Sequence, residues 1–369
     1  MALSACGGDD PAQDAGLDAL VDAGLDAGLD AGDSMGDEGP AVAPLSTLGC
    51  EMSEHTGLDI IQPQTLIADF SAPRRLPDSI NTPCPQDAVE MSPDGRRMVF
   101  HYSVNLIDTV LIPEGRFIEG TEVRFQEQLQ DGDWDAARVL ELRRGDPEAG
   151  CAEVCSAPGE TWVAPDGSRV IYHALGPNCI GYQQGLPEGQ FFDLDLYEAP
   201  MTNMVPGDGV ALEGINSEYI EGEQWVTGDG NSLIFASNRP GGQGGIDLWR
   251  AERTEGAWSA PECLPEPVNS AGDEKQAVIS PDGQWIYFAS DRSGMTGIWR
   301  VAIEPDGSFG AEAENVITGY VGEPSFTEDG RLFFVHVEVY FGEESWEVVD
   351  SDIYCVEPSD HALPCTQWR

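Results

Sequence analysis

The stretch Ser280-Pro281-Asp282-Gly283-Gln284-Trp285-Ile286-Tyr287-Phe288-Ala289-Ser290-Asp291-Arg292 decides the fold. Asp-Gly between two apolar runs is the strongest short-range hairpin signal, because glycine takes φ > 0 at no steric cost. The same tetrapeptide recurs as Ser92-Pro93-Asp94-Gly95, Ala164-Pro165-Asp166-Gly167, Thr227-Gly228-Asp229-Gly230 and Thr327-Glu328-Asp329-Gly330. An apolar run follows each turn, as in Met98-Val99-Phe100 and Leu233-Ile234-Phe235. Similar hairpins at intervals of 47 to 72 residues predict a repeat architecture.

A longer pattern sets the unit. Phe70-Ser71-Ala72-Pro73 begins 25 residues before Gly95, and Trp258-Ser259-Ala260-Pro261 begins 25 before Gly283. Both run into a Leu-Pro pair, Leu76-Pro77 and Leu264-Pro265, and then an asparagine, Asn81 and Asn269. A third strand returns in Asp193-Leu194-Asp195-Leu196-Tyr197, Ile246-Asp247-Leu248-Trp249, Gly297-Ile298-Trp299 and Asp352-Ile353-Tyr354. Four antiparallel strands per unit make the blade of a β-propeller. The sequence therefore predicts an all-β chain with one propeller of five four-stranded blades, or six if residues 41 to 69 supply another. The Phe70 strand is expected to complete the last blade, which closes the ring and removes its free edge.

The hairpins with Phe235-Ala236-Ser237-Asn238-Arg239 and Phe288-Ala289-Ser290-Asp291-Arg292 resemble the TolB-like, WD-type propeller repeat. The resemblance covers about residues 66 to 357. The run Arg239-Pro240-Gly241-Gly242-Gln243-Gly244-Gly245 is similar to repeats of bacterial envelope proteins. This likeness is specific for fold and weak for function, since propellers serve unrelated activities.

Leu3-Ser4-Ala5-Cys6 resembles the lipobox of bacterial lipoproteins, although no basic start and apolar stretch precede it. The resemblance implies a lipidated Cys6 and a true start upstream. It places the chain in the bacterial cell envelope, periplasmic or at the outer-membrane surface, and held to the membrane only by a lipid. Ten acidic residues and no basic ones lie between Gly7 and Pro40, among repeated Asp-Ala-Gly-Leu units. Such a segment cannot support a core and reads as a self-repelling disordered spacer. The expected division is residues 1–6 for the lipobox, 7–44 for the tether and 45–369 for the propeller.

The net charge of −48 repels nucleic acid and anionic lipid, and favours cations or basic partners. The cysteines other than Cys6 are Cys50, Cys84, Cys151, Cys155, Cys179, Cys263, Cys355 and Cys365. That even number fits disulfides in an oxidising compartment, and the absence of Cys-x-x-Cys argues against structural zinc. Cys151, Cys155 or Cys179 is expected to staple the second hairpin, and Cys50, Cys355 and Cys365 to tie the chain ends.

Six residues beyond each turn glycine stand His101, His173, Ala236, Ala289 and His336. The inner strands begin near Asp87, Glu160, Glu223, Gln276 and Glu323. Antiparallel pairing brings each His toward its blade's acid at the mouth opposite the Asp-Gly turns. The candidate site is thus His101, His173, His336, Glu160, Glu223 and Glu323, facing a divalent cation such as Ca²⁺, Mn²⁺ or Zn²⁺, or a basic ligand. The plainer alternative is polar lining of a hydrated channel. Neighbouring sheets stand about 10 Å apart, too far for histidines of different blades to share one ion easily.

No catalytic residue emerges. No Gly-x-Ser-x-Gly elbow appears, since the one match, Gly32-Asp33-Ser34-Met35-Gly36, falls in the acidic spacer; the Gly-rich run precedes no helix, and the Asp-Gly turns lack the spacing of the sialidase Asp-box. Trp162, Trp225, Trp249, Trp258, Trp285 and Trp299 fall at repeat positions and read as blade core before sugar platforms. The expectation is a monomeric, envelope-tethered propeller that binds a protein, peptide or cell-wall component at its mouth. The alternative is a metal-dependent propeller enzyme, such as a polysaccharide lyase, since oligogalacturonate lyases resemble the chain in their repeats and clustered histidines.

Overall fold

The computed structural model describes residues 50, 61–103, 122–130, 132–145, 159–175, 194–341 and 346–366. The lipobox, the acidic spacer, and Cys151, Cys155 and Cys179 lie outside them. The described residues form strands and turns in five sheets, one for each Asp-Gly hairpin, arranged as the five blades of a β-propeller. Their inner strands are Gln86–Met91, Thr161–Val163, Glu221–Val226, Glu274–Ile279 and Val321–Phe326.

Each turn closes by the mechanism its sequence dictates. The glycine amide donates to the first residue's carbonyl, at 2.8 Å for Gly95 to Ser92 and 2.9 Å for Gly283 to Ser280. All five turn glycines have φ between 70° and 84°. The aspartate accepts from the hydroxyl two residues earlier at 2.6 Å, as in Ser92–Asp94, Thr227–Asp229, Ser280–Asp282 and Thr327–Asp329. That bond explains why Ser or Thr opens four of the five copies. Pro93, Pro165, Gly228, Pro281 and Glu328 line the same cavity, so the turns share one face of the ring.

Five apolar clusters fill the five gaps between blades. Phe100 packs with Phe333 and Ile353. Phe125 meets Tyr172 and Tyr197. Trp162 and Leu196 meet Phe235 and Trp249. Ile234 and Leu248 meet Ile286 and Phe288. Tyr287 and Ile298 meet Phe334 and Tyr354. Both faces of every sheet are covered, which is why the second strands read as continuous apolar runs and not as alternation. The six repeat tryptophans belong to this packing, with Trp162 and Trp249 under 8 % exposed.

The recurring polar residues fasten the blades. Asn269 donates to the carbonyls of Leu248 and Leu264, and its Oδ1 accepts from the Leu248 amide at 2.8 Å. Asn81 repeats this on Leu76 and Ile353. The arginines that end Ala-Ser-Asn-Arg and Ala-Ser-Asp-Arg return to the start of their own inner strands. Arg239 lies 2.8 Å from Glu221, and Arg292 lies 3.1 Å from Glu274. Each also stacks on two rings, Phe235 and Trp249 or Phe288 and Trp299.

Arg74 and Arg75 pair with Cys355 and Tyr354, so a strand from the start of the ring completes the last blade. Phe70 bridges to Pro358. The alternative of a sixth blade fails, because Gln64 and Thr65 instead add to the outer edge of blade four, opposite Thr318 and Ile317. Disulfides join Cys50 to Cys84 and Cys355 to Cys365. Cys263, expected in a bridge, is a free thiol on the outer strand of blade three, where Asn269 donates to its sulfur at 3.3 Å.

Candidate functional site

A bulge in the inner strand creates the axial ring. The pairing shifts between Asp87 and Glu90, Gly222 and Trp225, Lys275 and Val278, and Gly322 and Ser325. At that point Ala88, Glu223, Gln276 and Glu323 all take φ between 51° and 58°. A non-glycine residue held there stores strain, and the surrounding ladder enforces it. The bulge turns these side chains toward the axis. Ala88, Glu160, Glu223, Gln276 and Glu323 all line a cavity of about 320 Å³ that extends to the turn face past Glu90, Trp162 and Trp225.

The ring revises the sequence alignment in two places. Asp87 stands one residue before the ring position, which Ala88 occupies in blade one. Its counterparts are Gly159, Gly222, Lys275 and Gly322. His101 pairs with Asp87, as Ala236 pairs with Gly222 and Ala289 with Lys275, and His173 shares that position. His336 does not. It pairs with Val321, at the position held by Ser237 and Ser290 in their blades. The cause is a shorter turn. The Thr327 amide donates to the Arg331 carbonyl four residues on, whereas the Thr227 amide donates to the Ser232 carbonyl five residues on. A slip of one residue sends a strand side chain to the opposite face. His336 is therefore fully buried in blade five, with Nε2 2.9 Å from the Ile61 carbonyl and its ring against Tyr354. It leaves the candidate site.

The remaining groups form one electrostatic cluster. His173 Nδ1 lies 2.8 Å from Glu160 Oε2, close enough for an ion pair but off the angle of a hydrogen bond. Burial disfavours the charge on both partners. Glu160 nonetheless titrates below its ordinary value because His173 and His101 face it, and His173 titrates above because Glu160 and Glu223 do. Burial pushes His101 down to about 4, so its ring is neutral. Burial, with Glu160 beside it, raises Asp87 to about 7. Glu223 rises to about 7 through burial and Glu160, against the pull of Lys275. Burial and the charges of Glu160, Asp87 and Glu223 raise Glu323 well above the ordinary range.

Lys275 is the only lysine in the chain and stands one residue before the ring position that Gln276 holds in blade four. Burial opposes its charge, but Glu223, Asp273, Glu160 and Glu323 outweigh that and keep it protonated. Among the described residues no carboxylate pairs with it directly. Sequence reasoning passed over it because nothing but its rarity marks it. Gln276 is better placed. Its Nε2 donates to Glu323 Oε1, and its Oε1 accepts from the Glu323 amide at 3.0 Å. The blade four and five half of the ring is thereby satisfied internally. The buried atoms of this cluster with neither a hydrogen bond nor an ion pair, His101 Nε2 and Glu223 Oε2, lie on blades one and three.

Among the described residues no three His, Cys, Asp or Glu side chains draw together closely enough to hold a metal ion. The expected divalent cation therefore has no cage in this ring. What the arrangement offers is a half-buried, net acidic cavity with unused hydrogen-bond acceptors.

No protein-family profile matches the chain, and no curated protein matches it. Solved structures do. A putative TolB from Agrobacterium tumefaciens is 18 % identical over 75 % of this chain and 91 % of its own, with a TM-score of 0.40. TolB from Acinetobacter baumannii is 14 % identical over 77 % of this chain and 56 % of its own, also at 0.40. An α-L-arabinofuranosidase from Lactobacillus brevis is 13 % identical over 80 % of this chain and 98 % of its own, at 0.45. These likenesses are of fold and assign no activity. The five hairpins, the Ala-Ser-Asn/Asp-Arg clamps and the closed ring make the chain a TolB-like β-propeller in fold.

Proposed function

We propose that the chain is a non-enzymatic binding propeller of the bacterial envelope, tethered through Cys6, whose axial mouth receives a basic group of a protein, peptide or cell-wall component. One observation carries this reading: the carboxyl groups of Asp87, Glu160, Glu223 and Glu323 crowd one buried cluster with only Lys275 and His173 as cations, and burial with mutual repulsion raises Asp87, Glu223 and Glu323 so that they await a positive partner. Crowded carboxylates in low dielectric favour an arriving cation, and the overall charge of −48 draws one from a distance. The long sequence connections of blades one and two, between Ser103 and Glu122 and between Leu175 and Leu194, start at the same end of the hairpins as the ring.

Fluorescence anisotropy of a labelled lysine-rich octapeptide tests the reading. Binding should weaken with salt, and it should be lost when Glu160, Glu223 and Glu323 are all changed to Gln. An acidic octapeptide that binds equally well refutes it. For the tether, palmitate labelling of the protein expressed with a full leader should vanish in Cys6→Ser.

A further inference from the structure

We propose that the disulfides Cys50–Cys84 and Cys355–Cys365 form a redox latch on the closure of the ring, which a dithiol reductant opens in a fixed order.

The closing contacts join two covalently closed loops. The first, sealed by Cys50–Cys84, contains the closing strand Arg74–Arg75. The second, sealed by Cys355–Cys365, contains the tail that meets it. Between the loops the Ser71 amide donates to the Glu357 carbonyl at 2.9 Å, and the Ser359 amide donates to the Asp69 carbonyl at 2.9 Å. Phe70 bridges to Pro358, and Arg74 stands opposite Cys355 itself. One side chain ties the second disulfide to the closing strand. Glu357 Oε2 accepts from the Cys365 amide at 3.0 Å, and Glu357 Oε1 faces Arg74 Nε at 3.6 Å. All four cysteines belong to the apolar cluster between blades five and one. Among the described residues the other four gaps hold no disulfide.

Topology explains the placement. In blades one, three and four the outer strand follows its neighbour directly along the chain. In blade five it comes from the opposite end, so hydrogen bonds and packing alone hold it. Sealing each side into a covalent loop lowers the entropy that the chain gains when these contacts part. The axial cavity depends on the same seam, since Ala88 and Val89 of blade one and Glu323 and Phe326 of blade five line it together.

The order follows from access. Cys355 and Cys365 are fully buried, and Cys84 is 7 % exposed. Cys50 alone of the four is only half-buried. Exchange needs a thiolate to reach a sulfur atom, so Cys50 is where it starts. The thiolate bonds to Cys50 Sγ, the bond to Cys84 breaks, and Cys84 leaves as a thiolate that takes up a proton. The second thiol of the reductant then displaces Cys50. Two electrons and two protons pass to the protein, and the reductant becomes a disulfide. Cys355–Cys365 undergoes the same exchange once the loosened seam admits the reductant.

Incubation of the full, oxidised chain with dithiothreitol, quenched at intervals with a maleimide mass tag, tests the order. Hydrogen exchange on the same samples tests the latch. Cys50 and Cys84 should take the tag before Cys355 and Cys365. Once both bonds are cut, amide protection at Ser71, Leu76 and Ile353 should fall about tenfold or more, with Leu233 and Phe235 of blade three unchanged. In the double variant Cys50→Ser and Cys84→Ser, tagging of Cys355 and Cys365 should come earlier than in the wild type. Tagging of Cys355 and Cys365 first, or in step with the other pair, overturns the proposal. So does seam protection that survives both cuts, or a loss that is equal in blade three. Resistance of both bonds to the reductant in the folded chain overturns it as well. If the double variant fails to fold, the wild-type time course still decides.

Discussion

The imidazole of His173 lies against Gly222 of the next blade, where a Cβ would stand 3.1 Å from Nδ1. Gly159 makes room on the other side of the same ring. Two absent side chains thus position one histidine beside Glu160. Gly159→Ala should dislodge the imidazole and break its pair with Glu160. A nitrogen-15 spectrum of the imidazoles should show His173 moving toward an ordinary titration, and a spectrum like that of the wild type would refute the packing argument.

Stability should fall as pH rises toward neutrality. Asp87 and Glu223 titrate near 7 when folded, above the carboxylate value of about 4 in an unfolded chain. Between those values the native state binds more protons than the unfolded state, so unfolding becomes easier as pH rises. Asp329, lowered to about 2 chiefly by Arg331 and Thr327 against its burial, acts in the opposite sense and loses its contribution as pH falls from about 4 to 2. Thermal melts should peak near pH 4 to 5 and lose several degrees by pH 8. The double change Asp87→Asn and Glu223→Gln should reduce that loss, the remainder coming from Glu90 and Asp350, which burial raises to about 8 and about 7, and a wild-type melt that rises steadily from pH 5 to 8 contradicts it.

His336 and His101 should separate in their effects. His336→Ala removes a fully buried ring that contacts the Ile61 carbonyl and Tyr354, and should cost about 2 kcal/mol or more. It should leave ligand affinity at the mouth untouched. His101→Ala should do the reverse in kind, weakening binding more than it lowers the melting temperature. Chemical denaturation and titration of both variants check this, and equal effects on binding would restore His336 to the site.

Arg292→Ala should destabilise the fold by about 3 kcal/mol, because it abandons Glu274 in a fully buried setting and strips the rings of Phe288 and Trp299. Arg239→Ala should match it, since blade three repeats the clamp. Urea unfolding of both variants gives the comparison.

Mass tagging of the unreduced, denatured chain should label Cys263 and spare Cys50, Cys84, Cys355 and Cys365. A protected Cys263 would mean a bridge to a cysteine outside the described residues.

Hairpins, blade number and ring closure were legible in the sequence because their causes are local or periodic. Asp-Gly fixes a turn, and the repeated Phe70 and Trp258 strands reveal how blades end. The acids Glu160, Glu223 and Glu323 were legible for the same reason. His336 was misread because alignment on Gly330 hides a turn that is one residue shorter, and only strand pairing reveals the slip. The inner-strand bulge was also invisible, since Glu223, Gln276 and Glu323 are not residues that announce φ > 0. Lys275 carries no motif, and its importance comes from neighbours far away in the chain.

Closure by Arg74 and Arg75 has a bearing on biogenesis. The first strand of the ring finds its hydrogen-bond partners, Tyr354 and Cys355, only when nearly the whole chain has been delivered. Until then the Arg74–Arg75 strand lacks its partner, and a growing chain exposes an adhesive edge. The blades that assemble early are therefore held in an open arc that snaps shut last. Because the first and last strands lie side by side, a circular permutant joined there and cut at the exposed Asp306-Gly307 turn should reassemble without a gap.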